Sequence, residues 1–436
     1  MTNTSSPLTS LREELASSDT DLRAVATQAA TKANSSASHN TYLTLLTAES
    51  VRRAEQLPSL FPDADARPSL YGVPISIKDC FDVAGTITTC GSRFYAQINP
   101  IAQKNSWVAQ RLFDAGAIIP GKTHLHQLAY GITGENTDYG DSLQPRDATL
   151  LTGGSSSGAA ASVQEGSVLA AIGTDTGGSV RVPAALCGLA GYRSSHGVSR
   201  GEERWAGGAH LAPSFDTIGL LFRELRDGPA LASAIFDVAI APAPTEIRIG
   251  YVGDDFLHDC EPAVLDAFAA WKRHLLQHGA TLTPIETPFW ADSLEIFSHI
   301  QASEAAAIHR GHYQHFEPAI AERLAWGAST TAEQLDALHK RLTLFRSQTS
   351  LLFQQADLLL VPCAPVSKLY AGHNQSKIRP TILRYTTPIS LAGLPAVTLP
   401  GEHIGAAFGT GMQLVAASMQ DAALLAFAAT LTSCPS

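Results

Sequence analysis

Short apolar runs of strand length recur along the chain, each followed by a stretch of helical spacing, and this alternation constrains the fold more than any other feature. The run VPISIKD, residues 73–79, sets Val73, Ile75 and Ile77 against Ser76 and Lys78, so Lys78 faces away from the isoleucines. Helical NSWVAQRLFDAGA then leads to the apolar AIIPGK, and the rhythm continues through residues 168–174. A strand–helix–strand repeat is satisfied by a sheet with helices packed on its faces. The expectation is an α/β protein with a large, mostly parallel mixed β-sheet flanked by helices on both faces.

Residues 8–55 read as helical, with Ser and Asp caps before apolar positions at helical spacing. Residues 223–240 and 262–278 carry the same period around the strand-like EIRIGYVG, and residues 291–355 are mostly helical with little glycine. ADLLLVPCAPV, GLPAVTLP and GMQLVA restore strand character before a last helix. No internal repeat or long linker interrupts the 436 residues. One domain over residues 1–436 is expected, with peripheral N-terminal helices in residues 1–60, a motif-bearing core in residues 71–220, and a variable helical region in residues 290–356 lining or capping the site.

A net charge of −10 without a Lys/Arg-rich run argues against nucleic acid or an anionic membrane as the main partner. No apolar stretch reaches the roughly 18 to 20 residues of a membrane span, and the polar N-terminus lacks a signal-peptide pattern. The six cysteines, Cys80, Cys90, Cys187, Cys260, Cys363 and Cys434, have no paired spacing, which reads as free thiols in a cytoplasmic protein. A small molecule is the expected partner, and the chain is expected to be a monomer or homodimer.

Two glycine-rich runs stand close together: TGGSSSGAAAS, residues 152–162, and GTDTGGSVRVPA, residues 173–184. GSSSG matches a G-x-S-x-G nucleophile elbow with Ser156 at its centre, but an elbow needs a buried strand running into it, and GDSLQPRDATLLTG is polar and turn-rich. Neither run ends in the Lys-Ser/Thr pair of a Walker loop. A serine activated by something other than histidine remains, and lysine is the known substitute. Such a lysine must be neutral, which requires burial or positive potential to lower its pKa from about 10.4. Lys78 sits in an apolar strand that could bury its amine; on that segment alone, a strand-end lysine reaching solvent or paired with Asp79 is the favoured reading, and the combination of motifs below reverses it.

The three motifs together, GVPISIKD, GGSSSG and GTDTGGSVRVPA followed by CG and G, resemble the amidase signature family in order, composition and spacing. The resemblance is strong over residues 71–216 and recurs in SLAGLPAVTLP and GMQLVA. It implies a Ser-Ser-Lys triad in which Ser179 is the nucleophile, Ser155 the bridging serine held by a cis peptide, and Lys78 the base. The 24 positions between the two serines resemble the family spacing. YRSSHG, residues 192–197, together with GEN and SFDTIG, is nearest in wording to the indole-3-acetamide hydrolase and small-amide branch. The family uses no metal, and no cofactor is implied.

The DTGGS run carries the other half of the expected chemistry. Two glycines let the N–H groups of Thr176, Gly177, Gly178 and Ser179 converge on a developing oxyanion. Asp175 and Arg181 read as charges that fix this loop, with direct substrate contact as the alternative. Ser156 and Ser157 read as loop and helix-start serines. Ala129 and Tyr130, in QLAYGITGEN, line the acyl pocket by resemblance, and Trp205, among glycines in residues 201–219, reads as an exposed pocket wall or surface-loop residue. His309, His312 and His315, and the pair His124 and His126, lack carboxylate partners for a metal site and read as surface or lining residues.

The expected function is a serine hydrolase cleaving the C–N bond of small, aryl-bearing amides through an acyl-enzyme. A carbamate or ester hydrolase with the same triad is the first alternative. The glutaminase component of a transamidating complex is the second.

Overall fold

The computed structural model describes residues 5–16, 20–35 and 39–431. Cys434 and parts of the first helical stretch, residues 17–19 and 36–38, lie outside them. Thirteen strands are present among the described residues. In chain order they are β1 Tyr42–Leu45, β2 Ile75–Lys78, β3 Gly121–Thr123, β4 Leu143–Gln144, β5 Asp147–Leu151, β6 Ala170–Asp175 and β7 Ala190–Arg193. They continue with β8 Thr217–Phe222, β9 Arg248–Val252, β10 Thr281–Ile285, β11 Leu358–Pro362, β12 Ala396–Pro400 and β13 Gly411–Ala416.

Eleven of them form one sheet in the order β1-β3-β2-β6-β8-β7-β12-β13-β11-β9-β10, and β4 and β5 make a separate pair. The sheet is mixed, and its parallel pairings fall into two groups, β3-β2-β6 and β11-β9-β10. Between them β6-β8, β8-β7, β7-β12, β12-β13 and β13-β11 all run antiparallel.

Strand alternation distributes the core over both faces. Ile75, Ile77 and Ile172 pack with Val108 and Leu112 of the helix Trp107–Asp114. One residue out of step, Ala171 and Leu221 pack with Ala159 and Val163 of the helix Ser157–Glu165. Ser76 shares that second face, its hydroxyl 2.9 Å from that of Ser162. Lys78 has the same parity as Ser76, and this places its amine among the glycine-serine loops rather than in the aliphatic core.

Two local expectations change. Residues 42–45, expected as helix, form an edge strand antiparallel to β3. Four residues are too few to show their own period beside the helix Thr47–Leu60, and pairing with β3 decides the matter. The run AIIPGK pairs in two pieces, Ile118 by a lone bridge to Pro74 and β3 from Gly121, with a break at Pro120, which has no N–H to give a ladder. The region expected to be helical after residue 290 holds Ser293–Ile308, Pro318–Ala328 and Ala332–Gln355. No helix among the described residues is long and apolar enough to cross a membrane.

Candidate active site

Lys78, the last residue of β2, is fully buried. Its Nζ lies 2.8 Å from Ser155 Oγ, 2.8 Å from Thr174 Oγ1 and 3.2 Å from Ser156 Oγ. All three neighbours are hydroxyls, each able to donate or accept. An ammonium donates to all three, whereas a neutral amine donates to two and turns its lone pair to the third. Burial lowers the pKa of this group from 10.5 to about 8, against upward pulls from Cys80, Asp175 and Asp216. Asp79, one residue on, points to the other face and pairs with Lys122 at 2.6 Å, both side chains fully buried. The pairing of Lys78 with Asp79 left open by the sequence therefore does not occur.

The peptide bond between Gly154 and Ser155 is cis. Backbone contacts hold it on both sides: Gly154 N donates to Ile132 O at 2.8 Å, and His126 N donates to Ser155 O at 3.2 Å. Ser156 Oγ accepts from Thr174 N and donates to Thr174 O, each at 3.2 Å, so this serine ties the loop to β6 instead of capping its own helix. Ser157 Oγ meets His124 Nδ1 at 3.0 Å.

The loop after β6 is organised by one carboxylate. Asp175 accepts from Arg181 Nε at 3.0 Å and Nη2 at 2.9 Å, from Arg193 Nη1 at 2.9 Å, and from the amides of Gly178 and Val180 at 2.8 and 3.2 Å. Burial raises its pKa, but the two guanidiniums outweigh burial and hold the carboxyl well below its usual range. Asp175 and Arg181 thus fix the loop. Gly178 has φ +120°, a region open to glycine, and a Cβ there would come within 2.9 Å of the Thr386 side chain. A Cβ on Gly177 would meet the Phe297 ring at 2.6 Å, so the helix Ser293–Ile308 abuts this loop directly.

Ser179 follows in the same loop, its carbonyl accepting from Ser156 N at 3.1 Å. Its hydroxyl makes no hydrogen bond to any described residue, so the link from Ser155 to Ser179 is one of proximity. The four expected oxyanion donors are not equivalent. Gly178 N–H is committed to Asp175, while the amides of Thr176, Gly177 and Ser179 have no partner among the described residues. Thr176 Oγ1 donates to Asp216 Oδ1 at 2.5 Å.

Ala129 and Tyr130 are buried, and Ala129 has φ 56° in the segment that leads to Ile132. Trp205, expected as exposed, is buried at 7% exposure; its Nε1 donates to Ser199 O at 3.0 Å and its ring stacks on His210 at 4.1 Å. A loop rich in glycine looks open in sequence, but the indole finds a polar partner and a ring to cover it. Trp205, His210, Asp216 and Arg346 help line a cavity of about 490 Å³. His309, His312 and His315 do not share one helix, since the helix ends at Ile308. His309 Nδ1 meets Tyr95 OH at 2.7 Å, and among the described residues no cluster of His, Cys, Asp and Glu is arranged to hold a metal.

Sequence reasoning missed Thr174, Arg193, Asp216 and Phe297. Thr174 had a signal, since Ile77 pairs with Ile172 in parallel register and the end of β2 must lie beside the end of β6. Arg193 had a weaker one, a charge inside the strand-like LAGYR.

A family model described as Amidase matches residues 24–425. The chain is 30% identical over 430 residues to the A-subunit of Glutamyl-tRNA(Gln) amidotransferase from Prochlorococcus marinus (strain MIT 9303), covering 87% of each. It is 32% identical over 398 residues to the AtzE subunit of 1-carboxybiuret hydrolase from Pseudomonas sp. (strain ADP), covering 82% of this chain and 83% of that protein. A crystal structure of an amidase superposes with a TM-score of 0.87 at 27% identity, over 97% of this chain and 98% of the other.

Proposed function

Since the chain belongs to the amidase signature family and is an amide-cleaving enzyme in kind, we propose that it hydrolyses small amides through an acyl-enzyme on Ser179, with Ser155 and Lys78 as its proton relay. The observation that carries this reading is the buried Lys78 amine, 2.8 Å from Ser155 Oγ and ringed by hydroxyls, with no carboxylate partner among the described residues. Ser179 Oγ attacks the amide carbonyl and gives its proton to Ser155 Oγ, whose own proton passes to the neutral Lys78 Nζ. The link between the two serines closes when substrate is bound. The amides of Thr176, Gly177 and Ser179 receive the oxyanion. Collapse of the tetrahedral intermediate breaks the C–N bond, and the relay returns the proton to the leaving amine. Water then attacks the ester by the same route and releases the acid.

Aryl-bearing amides are the favoured members of this class, a reading that rests on the likeness of YRSSHG, residues 192–197, to the small-amide branch. Ala129 and Tyr130 form the acyl wall, and residues 290–356 the cap. Carbamates and esters share the same first step. The test is a panel of aryl and alkyl amides, carbamates and esters with the purified chain: release of ammonia and phenylacetate from phenylacetamide is expected, and cleavage of esters alone overturns the amide reading.

A second reading rests on the likeness to the amidotransferase component. A glutaminase of that kind would release ammonia from glutamine and leave arylamides untouched, and the same panel with glutamine added separates the two.

A further inference from the structure

Most peptide units in the loop after β6 are pinned at one end or both. Asp175 O accepts from Thr217 Oγ1 at 3.0 Å, and Gly177 O from Thr386 Oγ1 at 2.5 Å. Gly178 N donates to Asp175 Oδ1 at 2.8 Å, and Gly178 O accepts from Val182 N at 2.8 Å. Between Asp175 and Val180 only the peptide joining Thr176 to Gly177 has neither its carbonyl nor its amide hydrogen-bonded to a described residue. The Gly177 N–H of this unit is one of the amides assigned to the oxyanion. With no bond of its own, the unit takes its direction from the dihedral angles of Thr176 and Gly177. Glycine offers no side chain by which to fix them, so Thr176 is the handle. Thr176 is buried, and its Oγ1 donates to Asp216 Oδ1 at 2.5 Å.

Sheet register brings the two residues together. The antiparallel ladder of β6 and β8 ends with Asp175 opposite Thr217, so Thr176 and Asp216 are the next pair beyond it. Asp216 is itself held firmly. Its Oδ2 accepts from the amides of Leu211 and Ala212, each at 3.0 Å, and from His210 Nδ1 at 2.8 Å. A carboxylate only accepts, so Nδ1 carries the hydrogen. The His210 ring stacks on Trp205 at 4.1 Å, and its Nε2 has no hydrogen-bond partner among the described residues. His210, Asp216 and Thr176 therefore form one chain of charge-assisted hydrogen bonds that ends on the free peptide.

We infer that Asp216, oriented by His210, is a positioning residue for the proposed reaction: it holds Thr176 so that the Thr176–Gly177 peptide presents its N–H to the oxyanion. This rests on the amidase reading above and adds two residues to it, neither of which touches substrate. An oxyanion donor is effective only when it is aimed before charge develops, so a loose peptide lowers the rate of the chemical step and leaves ground-state binding alone.

The experiment measures kcat and KM for phenylacetamide, and calorimetric binding of benzylboronic acid, in the wild-type chain, Thr176→Val, Thr176→Ser, His210→Phe, His210→Asn and the double variant Thr176→Val/His210→Phe. Ser179 Oγ adds to the boron of the probe, its proton passes to the relay, and a boronate oxygen takes the place of the oxyanion. Asp216 is left in place because its charge also pulls up the pKa of Lys78. Thr176→Val should lower kcat about 10- to 100-fold with KM within about a factor of two, and Thr176→Ser should restore most of the loss. His210→Phe keeps a ring on Trp205 without the N–H and should show the same split; His210→Asn keeps an N–H without the ring and should lose less. The double variant should lose no more than Thr176→Val alone. A change confined to KM, a loss in His210→Asn as large as in His210→Phe, or additive losses in the double variant overturn the positioning role. If the melt of Thr176→Val shows that it does not fold, the two His210 variants decide by the same criteria. If the wild-type chain cleaves no amide, the amidase reading falls and the boronate decides. Binding weakened about tenfold or more in His210→Phe but not in His210→Asn upholds the role, and equal or undetectable binding overturns it.

Discussion

The amide of Ser156 donates to the carbonyl of Ser179 at 3.1 Å, and this one bond stitches the loop that carries Ser155 to the loop that carries Ser179. The two glycine runs, one carrying Ser155 and the other Ser179, are thereby tied together although they lie apart in the sequence. Ser156 itself is spent on β6, through Thr174.

Ser179→Ala should abolish turnover and also labelling by a serine-directed fluorophosphonate. Mass spectrometry of the labelled chain checks this; a label carried by another serine in the variant rules out Ser179 as nucleophile.

The proposed relay requires a neutral Lys78, and burial lowers the pKa of this amine to about 8. Below that pH the ammonium predominates and kcat/KM should fall about tenfold per pH unit; above it the profile should level off. Lys78→Met should cost roughly 10²- to 10⁴-fold with a thermal melt close to that of wild type. A pH profile with no inflection between 7 and 9 contradicts this role.

Asp175 neutralises two buried arginines, so Asp175→Asn should destabilise by about 3–5 kcal/mol by leaving Arg181 and Arg193 uncompensated. Adding Arg193→Met should recover part of that loss in chemical denaturation. Simple additivity of the two changes would show that the charges are not coupled.

His124 is fully buried, and burial lowers its pKa from 6.5 to about 4. The fold therefore favours the neutral ring. Stability is complete above about 6.5, and is lost as pH falls toward 4 because the unfolded chain takes the proton first, a loss on the order of 3 kcal/mol. His309, also lowered to about 4 by burial, adds to the same window. His124→Asn should flatten the denaturant-midpoint curve between pH 6.5 and 4; an unchanged slope overturns the assignment.

Chelation should leave the rate unchanged, since the described residues include no cluster of His, Cys, Asp and Glu arranged for a metal. A loss of activity that a divalent cation restores would contradict the proposed chemistry.

Much of the framework was legible because strand period and helix period are local properties of the chain. The parity of Ser76, Ile77 and Lys78 told which face of β2 the amine takes before any partner strand was known. The same local reading misjudged residues 42–45, whose strand state comes from pairing with β3, and Trp205, whose cover comes from Ser199 and His210. β3 lies too far along the chain to leave a periodic mark on residues 42–45, and Ser199 and His210, though six and five positions from Trp205, meet it across a turn-rich loop that has no period to read.

By itself the sequence determined an α/β framework, the family, and the residues on which its chemistry was expected. Only the tertiary structure decided what those residues touch. Lys78 meets three hydroxyls while its neighbour Asp79 is taken by Lys122. The Gly178 amide is turned inward by Asp175, and two arginines more than fifty positions apart converge on Tyr130. The reason is physical: periodicity and motif order depend on neighbours along the chain, whereas desolvation and charge pairing depend on what folding brings near.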